Sequence, residues 1–270
     1  FSDLNHYNDT LGLYGDIGGI LEQLIAAFPK SIDYLAPKQV WLADCLRHKG
    51  EWKNFLIQTQ AVKTITDEVW KRAVLTQPTA IKAVCDFAKQ HKAIKFFDAG
   101  DVQANGFQTV EDDFPGETYT ETGASYMGFA TCAVISNGMA DKPKYSIAFT
   151  GDGSFMMNPQ AIISAVEHRA KGMIVIFDNR RMAAISSLQH AQYGIDFRTN
   201  DSVAVDYIQL ANAVSGVKAF SVGNTLESLQ NALKNAYAYD GLSVLHVPVY
   251  AGTDERGGLG AYGSWNVGNW

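Results

Sequence analysis

From about residue 79 to residue 249, runs that are apolar throughout alternate with longer amphipathic segments. No other feature constrains the fold as much. A strand apolar on both faces must be covered on both faces. Strands separated by helices do not pair as hairpins, so the pattern calls for a parallel sheet with helices on either side. Strands are expected at "AIKFFDAG" (93–100), "YSIAFTGD" (145–152), "MIVIFDN" (173–179), "VKAFSV" (217–222) and "LSVLHVPV" (242–249). Helices are expected at 126–140, 158–172, 205–216 and 225–239, with another at 78–91, where Pro78 suits the first turn. The fold class is therefore α/β, a doubly wound parallel sheet, which binds ligands beyond the carboxyl ends of its strands.

The rest of the chain reads differently. Residues 11–28 look like a strand followed by a helix, and mixed, Pro-punctuated helices follow to about residue 55. "QTVEDDFPGETY" (108–119) reads as an acidic loop. The Gly-rich tail 251–270, with Tyr262, Trp265 and Trp270, is either a loose terminus or a segment folded over a site mouth.

Charge and composition narrow the function. The formal net charge is -6 with no run of Lys or Arg, which argues against a nucleic-acid partner. No apolar run approaches the about 18 residues of a membrane span, and the N-terminus lacks a signal-peptide pattern. Cys45, Cys85 and Cys132 are far apart and read as buried, reduced thiols of a cytoplasmic protein. The chain begins FSDLN without methionine, as a processed product, a trimmed chain or part of a longer one would.

The stretch "FTGDGSFMMNPQ" (149–160) carries the chemistry. Gly151 and Gly153 allow a tight turn and close approach to a ligand. Asn158 is a good N-cap and Pro159 a good first helical residue, so a helix start should point amides and partial positive charge at the turn, which suits a phosphate. Neutralising a phosphate calls for a metal, and one carboxylate is too little to hold Mg²⁺ well. The next strand ends at Asn179, on the same edge of a parallel sheet. Asp152, the Asn179 amide oxygen and a backbone carbonyl just after it can form one face of an octahedron. The third glycine of GxGxxG is absent, Met156 standing there, and no GK[ST] follows.

"GDGSFMMNPQAIISAVEHRAKGMIVIFDN" resembles the diphosphate-and-magnesium motif of thiamine-diphosphate enzymes of the acetolactate synthase and pyruvate decarboxylase type. The resemblance implies thiamine diphosphate and Mg²⁺ as cofactors, with Asp152, Asn179 and the carbonyl of Arg181 on the metal. Gly151, Gly153 and Ser154 belong to the same motif. "GASYMGFA" (123–130) resembles the segment whose apolar side chain wedges between the two cofactor rings; the match is Met127, with the Ser125 carbonyl near the aminopyrimidine amine. Gly100 and Asp101 match a loop whose amides touch the diphosphate. Within the family, "TETGASYMGFA", "LQHAQYGIDFRTND" and "GAYGSWNV" resemble the cyclic 1,2-diketone hydrolases, trihydroxycyclohexanedione hydrolase and cyclohexane-1,2-dione hydrolase among them. "HYNDTLGLYGDIGGILEQLIAAF" resembles the end of their middle domain. The implied organisation is 1–64, end of a middle domain and linker; 65–250, the diphosphate-binding domain; and 251–270, the tail.

The resemblance implies cleavage of a C–C bond next to a ketone, with hydrolytic ring opening of a cyclic 1,2-diketone as the foremost reading. A 2-keto-acid decarboxylase or carboligase, or a non-catalytic assembly subunit, are the alternatives. Family members also use a pyrimidine-binding domain whose glutamate activates the cofactor. No residue here matches it, Glu121 included. The chain is thus expected to be inactive alone and to receive that glutamate from a second chain, in a hetero-oligomer with a dimer-type active-site interface. Gln189 and His190 are candidate catalytic residues, near where the ketone substrate could sit. Arg180 and Arg181 either pair with an anionic substrate or face solvent or the partner.

Overall fold

The computed structural model describes residues 11–29, 35–121, 123–199 and 202–250. The chain divides into two compact units, Phe1–Asn54 and Phe55–Trp270, and the division falls inside a helix. The first unit holds α1 (Ile17–Ala27), capped by the Asp16 carboxylate accepting from the Gly19 N–H at 2.9 Å. It also holds most of α2 (Leu35–Ala61), one continuous 27-residue helix where broken helices were expected. The strand expected before α1 is absent: residues 11–16 form no strand.

The second unit opens with a two-stranded antiparallel hairpin, β1 (Thr64–Asp67) and β2 (Arg72–Leu75). It was not foreseen, because its run is short and carries Glu68, Lys71 and Arg72. The helix α3 (Gln77–Gln90) follows, with Pro78 in its first turn as expected. The remaining elements are β3 (Ile94–Phe97), α4 (Asp101–Thr109), β4 (Thr118–Thr120), α5 (Phe129–Ala133), α6 (Ser136–Met139) and β5 (Ser146–Gly151). Then come α7 (Asp152–Phe155), α8 (Ala161–Glu167), β6 (Gly172–Asp178), α9 (Ala183–Tyr193), α10 (Tyr207–Asn212), β7 (Val217–Ser221), α11 (Leu226–Tyr237) and β8 (Leu242–Pro248).

Six strands form one parallel sheet in the order β4-β3-β5-β6-β8-β7. The fold is the doubly wound α/β sheet that the alternation called for. β6 lies inside it, and all seven of its residues are buried. One core packs α3, α4 and α11 on the first face; the other packs α5, α8 and α10 on the second. Phe97 stacks on Phe149 at 4.3 Å, and Phe149 on Phe177 at 6.0 Å, binding β3, β5 and β6 together. From β3 the chain crosses to β4 on one side, and from β5 to β6 on the other. The connections part company between β3 and β5, so the ligand crevice belongs at the carboxyl ends of those two strands.

Two expected segments differ. The segment 126–140 starts its helix only at Phe129, after Gly128 takes a left-handed φ of 96°, and is divided into α5 and α6 at Val134–Ile135. Cys132 is exposed there rather than in the core; Cys45 is exposed as well, and only Cys85 is buried. The expected acidic loop contains β4, an edge strand added by pairing with β3 and not by its own apolar pattern. The tail 251–270 lies outside the described residues.

Candidate cofactor site

A cleft of 280 Å³ opens where the topology places it. β3 supplies Gly100 and Asp101, at the head of α4. β5 supplies Gly151, Asp152, Gly153 and Ser154. The 123–128 loop supplies Ser125 and Met127, and the end of β6 supplies Asn179 and Arg181. These are all ten residues expected at a cofactor and its metal, drawn from four stretches of sequence. Met182, Ile185 and Leu188 add an apolar wall on the α9 side.

The helix start at the Gly-Asp-Gly turn is not the expected one. Asn158 and Pro159 lie in a turn, and α8 begins only at Ala161 with Gln160 as its N-cap. The four residues Asp152–Phe155 form α7 directly after the strand, with Gly151 at its N-cap. Asn158 instead packs against the loop: a Cβ on Gly128 would lie 2.8 Å from its Nδ2.

An aspartate stands at or just past the carboxyl end of β3, β5 and β6 alike: Asp98, Asp152 and Asp178. Burying a carboxylate is costly unless it is hydrogen-bonded or paired, and the three solve this differently. Asp98, with no exposed surface, accepts from the amides of Ala99 (3.1 Å), Gly128 (2.7 Å) and Phe129 (3.1 Å) and from the Thr150 hydroxyl (2.8 Å). Asp178 lies 2.8 Å from His246 Nε2 on β8 and accepts from the Arg180 amide at 3.0 Å, which fixes the chain direction at Asn179. Asp152 accepts from backbone amides, its own and that of Gly153, with the Arg180 charge acting more weakly on it. Burial, and then the Asp178 charge, push its carboxyl up to about 7. This buried carboxylate is short of positive charge, and a divalent cation would supply it. Asn179, also buried, has its side-chain oxygen fixed by accepting from the Arg181 amide at 2.9 Å. Among the described residues no cluster of three or more His, Cys, Asp or Glu suits a metal. One carboxylate, one amide oxygen and a backbone carbonyl, with phosphate oxygens to complete the set, is a donor type that fits Mg²⁺.

The loop carrying Ser125 and Met127 is held from both ends. The Glu121 carboxylate accepts from the amides of Gly123 (2.6 Å), Ala124 (3.0 Å) and Tyr126 (3.4 Å). Those amides hold it below the usual carboxylate range. Ser125 sits at φ 53°, a left-handed conformation uncommon for a non-glycine residue. Met127 presses on the Gly-Asp-Gly turn so closely that a Cβ on Gly153 would lie 3.1 Å from its Cε. Asp101, across the cleft, is raised to about 6 by burial, against the opposing charge of Arg181.

Gln189 and His190 are not in the cleft. Gln189 Oε1 accepts from the Phe197 amide at 2.9 Å and ties the loop after α9 back onto the helix. His190 is exposed at the end of α9, and its carbonyl accepts from Gly194, the left-handed C-cap residue. Helical periodicity turns the inner face of α9 through Ala184, Ile185 and Leu188, leaving both candidates off it. The arginines after Asn179 are engaged by the protein. Arg180 donates to the Ser202 carbonyl at 2.8 Å and lies over the Trp70 ring; Arg181 donates to Ser186 Oγ and pairs with Asp196 at 2.7 Å.

Residues 98–247 match the family described as "Thiamine pyrophosphate enzyme, C-terminal TPP binding domain". The chain belongs to this family. Thiamine pyrophosphate is thiamine diphosphate, so the family's defining ligand is the one whose motif the Gly-Asp-Gly turn resembles. The chain is similar to 3D-(3,5/4)-trihydroxycyclohexane-1,2-dione hydrolase of Bacillus subtilis (strain 168), at 26% identity over 93% of this chain and 40% of that protein. It is 33% identical to the protein of the same name from Lacticaseibacillus casei, over 57% of this chain and 24% of that one. The chain thus spans at most about 40% of the length of these relatives. Two solved structures share the fold. Benzoylformate decarboxylase from Polynucleobacter necessarius has a TM-score of 0.59 at 17% identity, over 67% of this chain and 34% of that chain. The thiamine diphosphate-dependent 4-hydroxybenzoylformate decarboxylase of Rhodococcus jostii RHA1 has a TM-score of 0.59 at 21% identity, over 66% and 33%.

Proposed function

We propose that this chain is the cofactor-binding part of a thiamine-diphosphate- and Mg²⁺-dependent enzyme that opens a cyclic 1,2-diketone by hydrolytic C–C cleavage. The observation that carries this reading is the convergence of ten residues, the buried Asp152 among them, on one cleft at the sheet's switch point. Asp152, Asn179 and the Arg181 carbonyl would hold the metal, and Gly100, Asp101, Gly151, Gly153 and Ser154 would receive the diphosphate. Met127 would set the bend between the rings, and the Ser125 carbonyl would receive the aminopyrimidine amine. Bound thiamine diphosphate supplies the nucleophilic carbon and the electron sink for C–C cleavage. The protein's own work is to hold the cofactor bent and to limit water behind the wall of Met182, Ile185 and Leu188.

Two observations favour a neutral diketone over a 2-keto acid. The chain's relatives bear a cyclic-dione hydrolase name. Arg180 and Arg181, the cations nearest the metal ligands in sequence, already engage Ser202, Trp70, Ser186 and Asp196.

In this reading the activating glutamate is brought to the cleft by a second chain. Among the described residues the carboxylates lining the cleft are Asp101 and Asp152, and Glu121 is occupied by loop amides. The experiment is native mass spectrometry of the purified protein with thiamine diphosphate and Mg²⁺, followed by product analysis with cyclohexane-1,2-dione and pyruvate. A co-purifying second chain, stoichiometric cofactor and a ring-opened acid are expected. Release of CO₂ from pyruvate without ring opening would replace the hydrolase reading with the decarboxylase one. No cofactor uptake at millimolar supply, with the second chain present, would sink both.

A further inference from the structure

The wedge Met127 and the Gly-Asp-Gly turn lie on separate segments, yet both cofactor halves require them at one fixed spacing. One side chain connects the two. Asp98 takes the amides of Gly128 and Phe129, directly after Met127, on Oδ1 (2.7 and 3.1 Å), and the hydroxyl of Thr150, directly before Gly151, on Oδ2 (2.8 Å). Asp98 and Thr150 are both wholly buried, so water does not compete for these bonds. Bonds to an ionised acceptor are about twice as strong as neutral ones. The contact they frame is Met127 Cε against Gly153, 3.1 Å from where a Cβ on that glycine would lie.

We propose that Asp98 is a positioning residue, one that sets the distance between the Met127 wedge and the diphosphate seat so that the cofactor meets a preformed, bent bed. The proposal rests on the cofactor-binding reading above. Asp98 does not touch the cofactor and acts through Met127. Removing it leaves two buried amides without an acceptor and lets the 127–129 segment move away from the turn.

The test uses the full chain. Native protein, D98A, D98N, M127A and the doubles D98A/M127A and D98N/M127A are compared in two ways: hydrogen–deuterium exchange without ligand, and calorimetric titration with thiamine diphosphate and Mg²⁺. D98A is expected to speed exchange at 127–129 at least tenfold while β8 and α11 keep native rates. It is expected to weaken cofactor binding at least tenfold, with D98N intermediate. Because Asp98 acts through Met127, the affinity penalty of D98A should fall below threefold once residue 127 is alanine. A penalty equal on both backgrounds, or native exchange at 127–129 in D98A, overturns the proposal. Should D98A not fold, D98N undergoes the same comparisons with the same criteria. Should native protein take up no cofactor, the cofactor reading fails for the chain alone, and exchange decides on Asp98: acceleration confined to 127–129 supports it, uniform acceleration or none overturns it.

Discussion

Asp152, the proposed metal ligand, works against the fold that carries it. Its carboxyl is raised from the ordinary range to about 7, first by burial and then by Asp178. The native, metal-free chain therefore holds a proton that the unfolded chain releases above about pH 4. Stability from this residue is fully present below that pH and is lost as pH rises through 7. Asp152→Asn removes the buried charge and keeps the shape. In the metal-free chain at pH 8, the variant should be more stable, by on the order of 3 kcal/mol, and the gain should vanish at pH 4. The same variant should lose Mg²⁺-dependent cofactor binding by at least a hundredfold. Urea denaturation at both pH values and a cofactor titration check the pair of outcomes; no gain at pH 8 would mean that Asp152 is already compensated in the native chain. At this scale the sequence spoke clearly. Gly-Asp-Gly at a strand end and Asn at the next strand end mark positions by residue type. Asp98 did not show itself, because a single aspartate after an apolar run gives no clue to its partners 30 and 52 residues away. The signal was still there: three strands in a row end in an aspartate, and each buried one must find donors.

At the scale of elements, legibility followed burial. β6 is buried along its whole length and its apolar run announced it. β4 and the β1–β2 hairpin are short and partly exposed, the hairpin charged as well, and pairing with neighbours made strands of them. The segment 126–140 has an apolar helix pattern but becomes helical only from Phe129, after a left-handed Gly128 whose amide donates to Asp98. The loop before it is an element in its own right, organised by Glu121. Its carboxylate is held low by the amides of Ala124, Gly123 and Tyr126. The order it confers is therefore present above the ordinary glutamate range and is lost as pH falls through the lowered value. Cofactor affinity of native protein, followed from pH 7 to pH 4, should carry a downward component from this group. Glu121→Gln, which keeps one acceptor oxygen but no charge, should bind about threefold to tenfold more weakly at pH 7 and lack that component. Identical pH profiles for the two proteins would remove Glu121 from the account of the loop.

At the scale of the molecule, exposed apolar side chains lie on the cleft wall and on the segments that follow or precede its lining residues. Tyr126, which follows Ser125, is 55% exposed; Met157, beyond α7, is 55% exposed; Met182 and Ile185 line the cleft and are 44% and 43% exposed; Phe197, tied to α9 by Gln189, is 68% exposed. Scattered exposed apolar groups are ordinary, but these, on and beside the proposed cofactor cleft, offer a surface that the proposed second chain would cover. The occupant consistent with the proposed function is the chain bearing the pyrimidine-binding domain. It would cover this surface and bring its glutamate to the ligand in one step. Phe197→Asp and Tyr126→Asp should each weaken that association at least tenfold, since each places a charge in a surface that becomes dry on assembly. Neither substitution touches the sheet, so the melting temperature of the isolated chain should stay within a degree or two. Sedimentation of the mixed chains, alongside thermal melts of each variant alone, separates an interface effect from a folding effect. Unchanged association in both variants would place the partner on another face, and the glutamate would then have to reach the cleft from there.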